Sequence, residues 1–183
     1  MRRMGLAALA LIGGMLCSAV TAMAEPQPVL VAQLTRAELT QAVAEADADI
    51  RASGVRRIWC VPFARAVSGI EIRGNAGTWW NAAAGRYPRG NVPIPGAVLN
   101  FRSTSKMPMG HVAVVSSVID SRRITVTQAN WVRNRVTEDV VIDISPKNDW
   151  SQVRVENRSN SFGSPYPTYG FIYRPAPVQR AVG

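Results

Sequence analysis

The hydrophobic period of this chain changes once, at Pro95-Gly96. Before that point apolar residues recur at helical spacing, and after it they follow a strand pattern. Helices first and strands afterwards predict an α+β fold, with the helices packed on one side of an antiparallel meander. Thr35-Arg36-Ala37-Glu38 has the form of a capping box, with Leu34 and Leu39 at hydrophobic-staple spacing. Leu39, Val43, Ala46 and Ile50 then share one helix face until Gly54 ends it, and that stripe reads as packing. Cys60 to Gly69 reads as a short helix, with Pro62 tolerated in its first turn and Gly69 as its stop. Thr78 to Ala84 is expected to be helical, and Arg86 to Pro95 to be a loop. Strands are expected at 97–101, 111–118, 124–128, 136–144, 152–156 and 171–173, with a hairpin turn at 120–123.

The chain has 183 residues, of which 47% are hydrophobic and 18% charged, which fits one globular domain and is too apolar for disorder. Residues 1–24 read as a signal peptide. Arg2 and Arg3 form the basic start, Leu6 to Ile12 is a strong apolar run, and Ala22-Met23-Ala24 before Glu25 fits a signal peptidase site. An uncleaved membrane anchor is the lesser reading, given Gly13-Gly14 and the cleavage pattern, and Leu16 before Cys17 argues against a lipoprotein. The expected location is therefore periplasmic or secreted, with no stable membrane insertion after cleavage. Residues 25–56 form a lead-in and an amphipathic helix, and Pro175 to Gly183 reads as a flexible tail.

Two cysteines and one histidine are too few for a disulfide scaffold, a zinc finger or a His-rich metal site. Loss of Cys17 with the signal leaves Cys60 as a lone thiol in an oxidising compartment. A buried Cys acting as a small hydrophobe is the bland alternative. The other is a nucleophile, because Cys60 lies at a helix start, where free N–H groups lower a thiol pKa. His111 opens a strand after Gly110, and the neighbouring strand ends in Thr127-Gln128-Ala129-Asn130-Trp131. A cysteine, a histidine and an amide so arranged can form a triad in which the base takes the thiol proton and the third group fixes the tautomer. Taken singly, a histidine is more often an ordinary residue and an Asn near a strand end a turn former. Gln128 and Asn130, two apart, share one face if the strand stays regular.

Cys60 to Gly69, Pro95-Gly96-Ala97-Val98-Leu99-Asn100-Phe101, Gly110-His111-Val112-Ala113-Val114-Val115 and Gln128-Ala129-Asn130-Trp131 together resemble the CHAP domain. That is the cysteine, histidine-dependent amidohydrolase/peptidase family, related to NlpC-type wall peptidases. The resemblance covers roughly Arg57 to Tyr173, so a catalytic domain is expected over 57–174. It implies a papain-like fold with helices packed on an antiparallel sheet or half-barrel. It also implies hydrolysis of peptidoglycan amide bonds, as an amidase or an endopeptidase, without a metal or other cofactor. Cys60 matches the family nucleophile and His111 the general base. Gln128 stands where many members carry an acidic or other polar residue, and Asn130 matches the polar residue of a closing Asn-Trp or Asn-Tyr pair. Gln128 can orient an imidazole but brings no charge to stabilise imidazolium. Ala97 is a second departure, where an Asp often follows Pro-Gly.

Substrate walls are expected from Trp59, Trp79, Trp80 and Trp131, with at least two of them in the core. Signal removal takes Arg2 and Arg3 from the 21 basic residues, leaving 19 against 12 acidic ones, or +7, which suits a polyanionic wall. Arg is scattered and no nucleic-acid motif is present, so no nucleic-acid partner is expected; the partner that the resemblance implies is peptidoglycan, with a monomeric protein. A non-catalytic wall-binding or scaffold module is the rival reading.

Overall fold

The computed structural model describes residues 30–158 and 161–176. The expected signal peptide and most of the expected tail lie outside them. Helix α1 (Arg36–Ala52) is followed by α2 (Cys60–Ser68), a 3-10 turn (Ala76–Thr78) and the single turn α3 (Trp79–Ala82). Among the described residues eight strands follow: β1 (Arg89–Gly90), β2 (Val98–Phe101), β3 (His111–Asp120), β4 (Arg123–Ala129), β5 (Val136–Asp143), β6 (Gln152–Arg158), β7 (Ser161–Phe162) and β8 (Tyr166–Ile172). The fold is α+β, with all strand pairings antiparallel.

The helix signals act as the sequence indicates. Thr35 caps α1 as one half of a capping box, its hydroxyl accepting from the Glu38 N–H at 3.2 Å and the Glu38 carboxylate accepting from the Thr35 N–H at 2.8 Å. Gly69 ends α2 in the left-handed conformation, with φ at 70°. The meander β2 to β6 runs in sequence order, and the turn at 120–123 sits where Asp120 pairs with Arg123.

Besides the short strands β1, which lies inside the expected loop 86–95, and β7, where no strand was expected, two features differ from expectation. The last strand starts at Tyr166, five residues before Phe171, because its early part alternates around Pro167 and Gly170 and carries no continuous apolar run. That extra length lets β8 pair with both β2 and β6, so β2-β3-β4-β5-β6-β8 closes into a barrel. The short strands β1 and β7 extend the sheet beyond it. The chain ends are also more tied than the sequence suggests. Val31 bridges Pro175, and the Ala176 N–H donates to the Leu30 carbonyl at 2.9 Å. The first residues of the expected tail and the last of the lead-in thus hold each other.

The barrel sheet buries apolar residues on both faces. Val98, Val112, Val114, Ala129 and Ile172 pack outward against α1, α2 and Trp79. Leu99, Phe101, Ala113, Val115, Val126, Val141, Val153 and Phe171 point inward and fill the barrel with Trp150. Helix α1 shares the outer cluster with α2. Among the described residues no helix is long and apolar enough to cross a membrane.

Candidate active site

The candidate residues meet at one end of the barrel, where a cleft of about 950 Å3 opens. Cys60 is the first residue of α2, half-buried, and α2 packs on β3. His111 is the first residue of β3 and is almost fully buried. Strand alternation puts it on the barrel side with Ala113 and Val115, at the open end. Gly110 makes this possible. Its φ is 68°, and a Cβ there would lie 2.5 Å from the Gly77 nitrogen and 2.9 Å from the Phe101 carbonyl oxygen. Cys60, His111, Asn130 and Trp131 all line the cleft.

Gln128 is fully buried on β4 and stands 2.9 Å from His111, Oε1 to Nε2. Its own Nε2 donates to Asp139 Oδ2 at 2.7 Å, and the Thr137 hydroxyl donates to the same oxygen at 2.5 Å. Thr137 pairs directly with Gln128 across the ladder, and Asp139 lies two residues further along the same face of β5. Phe101 and Trp131 pack on the imidazole at centroid distances of 5.6 and 5.1 Å, and Tyr166 packs on Trp131 at 5.1 Å. These rings keep water from the His111–Gln128 pair.

Burial sets the resting protonation states. It pushes the His111 pKa down to about 4, against the opposing pull of the Gln128 hydrogen bond and the Asp139 charge. The imidazole is therefore neutral at pH 7. Burial also pushes the Cys60 thiol up, outweighing the N–H groups of Val112, Val61 and Cys60 itself that favour the thiolate. The low thiol pKa expected from the helix start is thus not realised in the resting protein, because desolvation exceeds what the first-turn N–H groups supply. A neutral thiol and a neutral imidazole in one cleft suit proton transfer coupled to nucleophilic attack.

Asn130 does not share a strand face with Gln128 as expected. Strand β4 ends at Ala129, and Asn130 has φ of 64°, which breaks the alternation. Its Oδ1 instead accepts the Asn134 N–H at 2.9 Å, closing the loop after β4. Of the four tryptophans expected as substrate walls, Trp131 forms the cleft wall and Trp59 its exposed lip, where the Arg57 guanidinium lies 4.2 Å over its ring. Trp79 is fully buried in the helix-side core and is not a substrate wall. Trp80 is also not in the cleft: it stacks on Tyr169 at 5.7 Å with Arg89 above it. Both face away because the turn carrying them packs on the outer side of the barrel.

Sequence reasoning missed Asp139, Thr137, Arg57 and Lys106. The first two become visible only through the pairing of β5 on β4. The last two stand at the cleft mouth, and among the described residues no Asp or Glu lines it. Among the described residues, no group of three or more His, Cys, Asp or Glu side chains is placed to hold a metal ion.

A model of the CHAP domain matches residues 52–130. The matched stretch includes Cys60, His111, Gln128 and Asn130 and stops before Asp139. No curated protein matches the chain.

Proposed function

Because residues 52–130 match a model of the CHAP domain, we propose that the chain is an exported cysteine hydrolase cleaving amide bonds of peptidoglycan. The observation that carries this reading is the shared cleft of Cys60 and His111, with the imidazole held by Gln128. We read the layout as papain-like, a helix bearing the nucleophile packed on a barrel bearing the base. The chemistry then runs as follows. His111 Nδ1 takes the Cys60 proton as the sulfur attacks the scissile carbonyl carbon. First-turn N–H groups of α2 hold the resulting oxyanion. Imidazolium gives its proton to the leaving amine, the C–N bond breaks, and a thioester remains on Cys60. Water attacks the thioester, giving its proton to His111, and the thiol is regenerated.

Arg57 and Lys106 at the mouth, with no carboxylate among the described lining residues, suit the anionic stem peptides of the wall. Trp59 and Trp131 supply flat apolar surface for the rest. Export rests on the basic, apolar and Ala-Met-Ala pattern of residues 1–24, and sequencing of the mature amino terminus, expected at Glu25, tests it. The test of the reaction is digestion of purified peptidoglycan followed by mass spectrometry of the fragments. New amino termini within stem peptides identify an endopeptidase, and free lactyl-bearing glycans an amidase. Wall binding without any fragment release identifies the scaffold reading.

A further inference from the structure

Gln128 replaces a residue that is often acidic in the family the chain resembles, yet a carboxylate stands directly behind it. Asp139 accepts from the Gln128 amide nitrogen at 2.7 Å and from the Thr137 hydroxyl at 2.5 Å. An ionised carboxylate only accepts hydrogen bonds. The amide NH2 must therefore face Asp139, and the amide oxygen must face His111 Nε2, 2.9 Å away. An oxygen facing that nitrogen requires Nε2 to carry the hydrogen. Nδ1 is then left with its lone pair, the form that can take a proton. If the amide turned over, its NH2 would meet Nε2 and favour hydrogen on Nδ1, which could accept nothing from Cys60.

We propose that Asp139 is a positioning residue that locks the Gln128 amide, fixes His111 as the Nε2–H tautomer, and supports its protonated form through that amide. The carboxylate is displaced by one amide length from the imidazole it serves. It lies on β5, beyond the segment that the family model matches. The consequence for turnover rests on the hydrolase reading. The consequence for the imidazole does not. Besides Asp139, the described titratable groups that line the cleft with the imidazole are Cys60 on α2, Tyr166 on β8, Arg57 and Lys106.

His111 is the single histidine of the sequence, so tag-free protein labelled with 15N-histidine reports this imidazole alone. Wild type is expected to give the Nε2–H pattern at pH 7. Asp139→Asn keeps the shape but can donate as well as accept, so the Nδ1–H form should become populated. On muropeptide, kcat should fall about 10–100-fold with KM little changed, by analogy with the loss of outer-shell partners of metal-bound histidines. Gln128→Glu alone sets two carboxylates against each other and should also impair turnover. Combining Gln128→Glu with Asp139→Asn restores one accept-only group beside Nε2. It should return the Nε2–H pattern, raise the imidazole pKa above the wild-type value and recover kcat. An unchanged tautomer in Asp139→Asn, or a double variant no better than Asp139→Asn, overturns the proposal. Absence of hydrolysis by folded wild type overturns the hydrolase reading, and the NMR spectra still decide the tautomer lock.

Discussion

The Ile58 N–H donates to the Asn134 side-chain oxygen at 2.9 Å, across 76 positions of sequence. Asn134 is itself held by Asn130, so the loop after the Gln128 strand is tied to the segment that delivers Cys60. Two candidate catalytic elements, the start of α2 and the end of β4, are thereby kept in register. Asn134 has φ of 59°, a conformation that Asn adopts more readily than most residues. Asn134→Ala and Asn130→Ala are expected to lower kcat about tenfold through misplacement of Cys60. Far-UV circular dichroism should stay unchanged. Wild-type turnover in both variants would remove this tie from the account.

Stability should fall on mild acidification. The His111 pKa is depressed from 6.5 to about 4 in the fold, so the unfolded chain binds the proton first as pH drops. The contribution is whole above pH 6.5, drains between 6.5 and about 4, and is level below. Complete draining corresponds to roughly 3 kcal/mol. Glu38, Asp120 and Asp149, held below ordinary carboxylate values mainly by hydrogen bonds, act only lower in the range. Urea midpoints measured from pH 7 to 4.5 should decline in wild type and stay flatter in His111→Gln. Parallel curves would contradict a neutral buried imidazole.

Cys60 should alkylate slowly at neutral pH. Burial raises its pKa, so its iodoacetamide rate should climb through the alkaline range, with a midpoint above the ~8.5 of a free thiol. A midpoint below that value would show a preformed thiolate in the resting protein.

The tryptophans divide into two effects. Trp79→Ala empties a fully buried site in the helix-side core and should cost about 3–5 kcal/mol in urea denaturation. Trp59→Ala, at the exposed lip, should leave stability within about 0.5 kcal/mol and raise KM. The reverse assignment of stability and KM would sink the division.

Much of this was legible in the chain. Thr35 and Glu38 announce α1, Gly69 announces the end of α2, and the strand segments from Val98 to Val155 alternate or run apolar as their burial requires. Cys60, His111 and Gln128 stood out because their residue types are scarce or placed at element ends. What stayed hidden depends on long-range pairing. Asp139 sits in Val-Thr-Glu-Asp, an ordinary strand sequence, and gains its role only from the ladder that sets Thr137 opposite Gln128. Barrel closure needed the early part of β8, where Pro167 and Gly170 disguise the strand. Asn130 misled because its left-handed backbone breaks the alternation that spacing alone assumes.

On the hydrolase reading, Cys60 and His111 together break an amide bond of the wall. Its most direct test is fragment release from purified peptidoglycan by wild type, Cys60→Ala and His111→Ala, each checked for folding by circular dichroism. Wild type is expected to release new fragments, and both folded variants to release none above the buffer control. Release by folded Cys60→Ala at the wild-type rate would contradict the account.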